Sequence, residues 1–574
     1  MGQNDYVFNV FILPLIDLDT QEIRMKKLFS YLYNRQRLRF TCTLLFTIFS
    51  SLFEVALAYI MMQCVDLAMD GSLSEAMSFA FWLIFYLITY FIVDYLAKRL
   101  KWKTLQIAQM NLRNDVTQSI MAMPINHFHL KNTSGWLAMI TTQCDMIEES
   151  YFKMWFNVFS ELFSFIVSSV ILCFISPWLA LFVFVTACIQ MLVPKIIGPM
   201  IAKKRSKQMD AAENFTITTT EHLNGFDLLK SFNLTAQSLQ AICEANSQWE
   251  DTKLGTRMYT SVARLLSFTF GQIIYVGIFF FGALLTIKGG MTVGTMVVAS
   301  QLVVYIASPL QTLSEDLTDI KSVKELIASL RKEISSSETS LKQPIQNITS
   351  FEEIDFQNVS FSYDDMQVFN AININIVRGN RYLLCGPSGC GKSTLIKLLT
   401  GVECPASGKV KIDDIDIQTL SPEELARFIL PCTQSTFIFN ASLRDNVTLF
   451  DNHFSDEEII AVLNKVEFTY VLERYDDGLN HMIKQGGQSL SGGERQKVAL
   501  ARMELFNPPV VIFDESFANL DVNTAERLMK LVLQDNQRTV IVVAHQLTEE
   551  LTRLFDKRLL IENKKVIVED LWKE

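Results

Sequence analysis

Two regimes of hydrophobic and polar spacing divide the chain. Up to about position 309 the apolar residues come in long blocks, whereas from position 351 short β-rich runs alternate with amphipathic stretches, as in an α/β domain. Between them, 334–350 reads ISSSETSLKQPIQNITS, a Ser/Thr/Gln-rich segment with one proline and the composition of a linker. Six of the apolar blocks, 40–68, 76–97, 154–175, 178–201, 261–287 and 291–310, reach the ~20 residues that a hydrocarbon core requires of a helix. Each is nearly free of charge, so together they are poor candidates for buried helices of a water-soluble protein and good ones for membrane spans.

The polar segments between the spans set an orientation. Arg24, Lys26, Lys27, Arg35, Arg37 and Arg39 precede the first span, Lys98, Arg99, Lys101 and Lys103 follow the second, and Lys203, Lys204, Arg205 and Lys207 follow the fourth. Basic residues are retained on the cytoplasmic side, which puts all three clusters and the C-terminal half inside. The two inside connections, 98–153 and 202–260, have helical composition; folded down and up, each limb of ~27 residues reaches about 40 Å at 1.5 Å per residue. Their reversals are expected near Gly135 and Asp145 in one and near Gly225 and Lys230 in the other. The start of the chain is polar and shows no cleavable signal; 7–16 and the amphipathic 25–40 suit the inner membrane surface. The expected organisation is a segment 1–39, a six-span domain 40–325, a linker 326–350 and a soluble domain 351–574.

Composition agrees with a membrane protein: 49% of the 574 residues are hydrophobic, 42 are Phe and only 20% are charged. A net charge of −10 gives no global attraction to nucleic acid, and no nucleic-acid partner is expected. The ten cysteines, 42, 64, 144, 173, 188, 243, 385, 390, 404 and 432, form no C-x-x-C pair and read as reduced thiols.

The soluble half carries phosphate chemistry. Residues 383–393 read LLCGPSGCGKS, an apolar strand followed by Gly386, Pro387, Ser388, Gly389, Cys390, Gly391, Lys392 and Ser393, then Thr394 and a helical LIKLLTG. Glycines in this spacing let backbone N–H groups close around phosphate oxygens at a helix N-terminus; Lys392 reaches the β- and γ-phosphates, and the Ser393 hydroxyl is placed for Mg²⁺. Downstream, 510–515 reads VVIFDE, a buried parallel strand ending in two carboxylates: Asp514 to hold Mg²⁺ through water and Glu515 to polarise an attacking water.

Between these elements stands Leu490-Ser491-Gly492-Gly493-Glu494, followed by Arg495-Gln496, and here the chain resembles the ATP-binding cassette transporter family. The resemblance implies that Ser491, Gly492 and Gly493 cap the γ-phosphate of ATP bound to an opposite cassette. It also implies that Gln434 is the Q-loop residue, catalytic and a Mg²⁺ contact, that Asp521 is the D-loop aspartate, that His545 is the switch histidine, and that Tyr363 stacks on adenine. Six spans with two long inside loops and one cassette resemble an exporter-type half-transporter, whose loop reversals act as coupling helices. The chain departs from the family pattern in three places: Glu494 for the commonest Gln, 516–519 (SFAN) for Pro-Thr-Ser-Ala, and Gln485 for the Glu of exporters, which puts coupling at that contact in question.

The implied function is ATP-hydrolysis-driven movement of an amphipathic or hydrophobic solute, a drug, lipid or peptide, by alternating access in the export direction. Two other readings stay open: an exporter-fold importer of a metal-chelating small molecule, and a membrane-tethered regulatory ATPase. The expected partners are a second half-transporter chain, a homodimer ahead of a heterodimer, together with membrane lipid and the transported solute. The expected location is a bacterial inner membrane with the cassette on the cytoplasmic side. Glu54 and Glu161, ionisable groups at membrane depth, are candidates for facing a wet cavity, with a helix-packing role as the alternative.

Overall fold

In the computed structural model, residues 28–312 and 351–571 are described, apart from 191, 289, 308, 310–311, 364–365, 434–435, 485–488, 518–519, 536 and 545–546. The chain forms two compact units, Met1–Gln118 with Thr133–Glu333, and Ser119–Asn132 with Ile334–Glu574.

The first unit is helical. Its long elements are α1 (Arg37–Asp70), α2 (Leu73–Met121), α3 (Lys153–Ile175), α4 (Pro177–Gln190), α5 (Leu192–Asn224), α6 (Thr235–Ile287) and α7 (Val293–Ala307). Among the described residues, four helical stretches are long and apolar enough to cross a bilayer: Arg37–Met69, Leu73–Met121, Gly135–Ile175 and Thr235–Ile287. The fourth and sixth expected spans are represented by the shorter apolar helices α4 and α7, each bordered by residues outside the described set. The spans pack through small residues and short hydroxyls, as helices in lipid must when no hydrophobic force draws them together. Thr43 and Thr104 hydroxyls meet at 3.0 Å and those of Ser51 and Ser160 at 2.9 Å. A Cβ on Gly277 would lie 2.4 Å from the ring of Phe182, so only glycine admits that approach. Val55, Leu172, Leu179, Val183, Ile274, Ile278, Leu302 and Ile306 form the apolar centre where α1, α3, α4, α6 and α7 converge. In contrast, Phe81, Trp82, Phe85 and Phe91 of α2 are exposed, as lipid-facing side chains are.

The two carboxylates at membrane depth both have partners. Tyr90 donates to the Glu54 carboxylate at 3.4 Å and Thr312 to that of Glu161 at 2.6 Å.

Beyond their apolar windows α2 and α6 run on without a break into the long connections. The first long connection reverses at 122–132, earlier than the sequence reading placed it. Pro124, extended at φ −59° and ψ 147°, ends α2 and caps the single turn Ile125–Phe128. Gly135 and Asp145 instead lie on the returning limb, where Asp145 pairs with Arg113 of α2 and accepts from Gln109 at 3.1 Å. That limb carries two π-turns, Met139–Gln143 and Glu148–Phe152. The second connection reverses where expected, at Gly225 and the short helix Phe226–Ser231. Its outgoing arm α5 contains Pro199, whereas the returning α6 runs 53 residues with no proline, and the two pack along each other.

The second unit is built on two sheets. A four-stranded antiparallel sheet has the order β2 (Met366–Val377), β1 (Glu353–Tyr363), β4 (Ser407–Ile412) and β5 (Ile415–Asp416). A six-stranded sheet has the order β12 (Lys565–Asp570), β11 (Lys557–Glu562), β3 (Arg381–Cys385), β10 (Thr539–Val543), β9 (Val510–Asp514) and β6 (Ile429–Cys432). All of its pairings are parallel except β11 with β12. The interiors of its central strands, 382–385, 510–513 and 540–543, are apolar, because both faces are covered. Tyr382, Leu384, Ile512, Ile541 and Val543 join the core shared with the antiparallel sheet, while Leu383, Val511, Phe513, Val540 and Val542 point into the opposite one. A small ribbon of β7 (Ala441–Ser442) and β8 (Met482–Ile483) completes the strands.

Candidate nucleotide site

Parallel strands put their C-terminal ends on one edge of a sheet, and ligands of open α/β folds bind there. Four of these strands lead into the segments singled out above: β3 into the phosphate loop, β9 into Asp514 and Glu515, β6 toward Gln434 and β10 toward His545. Val543 of β10 pairs with Leu384 on one side and with Asp514 on the other, so the loop and the carboxylates flank the same strand end. Gln434 and His545 lie outside the described residues, as do Gln485, Ala518 and Asn519.

The phosphate loop owes its shape to its glycines. Gly391 has φ 109°, and a Cβ there would lie 2.7 Å from Val368 and 3.0 Å from Phe369. It caps helix α8 (Lys392–Leu399), whose first turn holds Lys392, Ser393 and the buried Thr394. Lys392 Nζ donates to the carbonyl oxygens of Gly386 at 2.7 Å and Pro387 at 3.2 Å, which keeps the ammonium above the loop.

Glu515 adopts φ +50°, a left-handed conformation that costs a non-glycine residue of order 1 kcal/mol. Strain of this kind persists where the neighbouring structure enforces it. Burial, and then the adjacent Glu515, push the Asp514 carboxyl up from its ordinary value, against the pull of Lys392. The folded protein therefore holds that proton more tightly than the unfolded chain, so the contribution to stability falls as pH rises through the raised pKa. At neutral pH an ionised Asp514 is a cost that a cation, if bound there, would offset. In nucleotide-free, full-length protein at pH 7.5, Asp514→Asn is expected to raise the thermal midpoint of the cassette by about 1–3 °C. The gain should shrink as pH falls toward the acid range; a lowered midpoint at pH 7.5 would contradict this account.

Among the described residues, the Asp514 carboxylate lies within electrostatic reach of Lys392, and Ser393 follows it in the first turn of α8. Among the described residues no group of three or more His, Cys, Asp or Glu could cage a metal. Hard oxygen ligands with a single carboxylate suit Mg²⁺ carried by a polyphosphate, which binds through few protein groups and keeps waters.

Ser491, Gly492 and Gly493 stand elsewhere. They line a cavity of about 550 Å³ with Tyr470, Glu494, Arg495, Lys497, Leu520 and Asp521, and no phosphate-loop residue is in its wall. Ser491 is the N-cap of α9 (Gly492–Phe506) in a capping box: its Oγ accepts the Glu494 N–H at 3.2 Å, and its own N–H donates to Glu494 Oε2 at 2.7 Å. Asp521 caps α10 (Val522–Leu533) by accepting the Thr524 N–H at 3.0 Å. One chain thus holds a phosphate loop and a separate helix-terminus cavity suited to an anion.

Tyr363 ends β1, partly exposed, with Phe361 edge-on at 4.8 Å and Lys397 over its ring at 5.5 Å. Sequence reasoning missed Tyr470 and Arg474, which contact Glu494 across 24 and 20 positions of sequence. No local spacing could have signalled them.

Known proteins resemble the chain in both halves. Residues 40–310 match the family described as ABC transporter transmembrane region, and residues 369–518 the family described as ABC transporter. A mitochondrial iron-sulfur clusters transporter, ATM1 of Gibberella zeae, is 30% identical over 372 residues, which is 62% of this chain and 52% of that protein. The mycobactin import ATP-binding/permease protein IrtB of Mycolicibacterium thermoresistibile is 28% identical over 52% of this chain and 51% of its own. The microcin-J25 export ATP-binding/permease protein McjD of Escherichia coli is 25% identical over 68% of both chains. The match thus spans about half the length of the first two relatives. Among solved structures, a bacterial Atm1-family ABC exporter with ATP bound superposes with a TM-score of 0.83 at 20% identity, covering 93% of this chain and 95% of that one.

Proposed function

The chain belongs to the ATP-binding cassette transporter family, as a multi-pass membrane region fused to one ATP-binding cassette, and from that premise we propose that two copies couple hydrolysis of Mg²⁺–ATP to export of an amphipathic or hydrophobic solute. The observation that carries the reading is the separation of the phosphate loop from the Ser491–Gly493 cavity within one chain. Each half lacks its complement, and a second copy placed head to tail supplies it.

In this reading ATP lies on Gly386–Thr394 with its adenine on Tyr363. Lys392 holds the β- and γ-phosphates. Ser393, Gln434 and Asp514 would hold Mg²⁺, which would neutralise phosphate charge when bound. Glu515, with Gln434 and His545, orients the attacking water, while Ser491, Gly492, Gly493 and Asp521 close from the other chain. The division into 1–39, 40–325, 326–350 and 351–574 belongs to the same proposal, as does a bacterial inner membrane with the cassette inside. The relationship to a mycobactin importer supports import as a second reading. Vesicles given ATP on one face separate the readings: export and import carry solute in opposite directions, and a regulatory ATPase moves none.

Both Glu515 and the Ser491–Gly493 motif are present in this chain, so two identical chains complete both sites. Lys392→Ala and Ser491→Arg are each expected to be inactive as homodimers. Co-expressed, a mixed dimer pairs the intact phosphate loop of the Ser491→Arg chain with the intact cap of the Lys392→Ala chain, and ATPase activity should return to part of the parental rate. Purified parental protein that hydrolyses ATP only after a different half-transporter is added would overturn the homodimer.

A further inference from the structure

Glu494 puts a negative charge in the wall of a cavity otherwise built for an anion. The cavity lies at the N-terminus of the 15-residue α9, and Arg495 and Lys497 share its wall. A free carboxylate there would repel a phosphate. Both Glu494 oxygens are engaged, however: Oε2 accepts the Ser491 N–H at 2.7 Å, and Oε1 accepts from Arg474 at 2.7 Å and from the Tyr470 hydroxyl at 3.3 Å. The Glu494 side chain is only 8% exposed. Arg474 lies over the rings of Tyr470 at 5.5 Å and Tyr475 at 5.9 Å, which fixes its guanidinium on the carboxylate. Lys497 stands over the same Tyr470 ring at 5.2 Å and donates to the Glu467 carbonyl at 2.8 Å.

We propose that Arg474, held by Tyr470, is a positioning and charge-balancing residue that permits a carboxylate at position 494 beside bound nucleotide. The proposal rests on the reading above, in which this cavity receives the γ-phosphate of ATP from the other chain. Arg474 neutralises Glu494 and fixes it as the capping partner of Ser491. The Ser491 N–H is then spent inside the capping box, and its Oγ lone pair is taken by the Glu494 N–H. What remains of the α9 terminus to meet a phosphate is the Ser491 hydroxyl proton and the N–H groups of Gly492 and Gly493, beside Arg495 and Lys497 in the same wall. In open solvent the half-exposed Arg474 contributes little to stability. Its effect appears when the second chain closes the cavity and excludes water, where an unbalanced carboxylate acts on phosphate through a lower dielectric.

Steady-state ATPase kinetics of the purified full-length protein test this with Arg474→Gln, Glu494→Gln, the double variant and Arg474→Lys. Arg474→Gln should raise KM for ATP about tenfold with a smaller change in kcat, since a unit charge near phosphate acts mainly on binding. The rise should shrink as salt is added. The double variant should return KM to that of Glu494→Gln, because the charge needing balance is gone. Arg474→Lys should keep most of the parental affinity and serves as the measure if Arg474→Gln folds poorly. A double variant as impaired as Arg474→Gln, or an Arg474→Gln protein with parental KM at all salt concentrations, would overturn the proposal. An inactive parental protein would instead count against the ATPase reading itself.

Discussion

Lys392→Ala is expected to lower ATP hydrolysis by about 10²–10³-fold, the scale on which loss of one preorganised charge-stabilising donor acts. The ammonium is fixed above the loop by the Gly386 and Pro387 carbonyls, within one turn of the α8 N-terminus. On the proposed reading this places it to meet an incoming polyphosphate at the N-terminus of α8. Alanine keeps the helix and leaves the phosphate charge unmatched. Lys392→Arg should fail nearly as badly, because a planar fork does not fit a place shaped for a compact ammonium. Phosphate release by purified protein with an unchanged far-ultraviolet dichroism spectrum measures this. Hydrolysis near the parental rate would remove Lys392 from the site.

Glu515→Gln should behave differently. Glutamine preserves shape and hydrogen bonding but cannot take a proton, and loss of a positioned base costs about 10²–10⁴-fold in rate. Binding does not require that proton transfer, so the variant should retain ATP and hold the two cassettes together. Retained nucleotide per dimer, measured alongside hydrolysis, separates it from Lys392→Ala, which should be deficient in both. The left-handed backbone at Glu515 sharpens the expectation. A carboxylate kept in a strained conformation at a strand end has a defined position in the site, and that position is what glutamine inherits. A Glu515→Gln protein that hydrolyses ATP at close to the parental rate would assign the water-activating role to another residue.

The cassette was legible because each of its elements answers a local requirement. Buried parallel strands must be apolar throughout, as 383–385 and 510–513 are, and a phosphate loop must be glycine-rich. The membrane half was legible where the bilayer sets the rule: the expected span 154–175 coincides with Lys153–Ile175 to within a residue. It was less legible where the helices leave the hydrocarbon, since no change of solvent marks their ends. There the reversal near 135–145 was misplaced, although Pro124 carried the stronger signal. Glu494 was recognised as a departure from the family pattern, but its balancing partner was not, because Arg474 reaches it only through the tertiary fold. Pattern reading finds residues that a local geometry demands and misses those that one side chain demands of another.

Helices α5 and α6 also differ as mechanical elements. Proline at position 199 supplies no N–H, so the carbonyl of Lys195 loses its rung and the neighbouring Gly198 adds no side chain to brace the gap. Helix α6, some 80 Å long at 1.5 Å per residue, has no such interruption. The pair is a jointed strut lying beside a stiff one. Under a load at their common Gly225 end, the missing rung makes the stretch around residue 199 the softer part of α5, whereas α6 has no proline to interrupt its ladder.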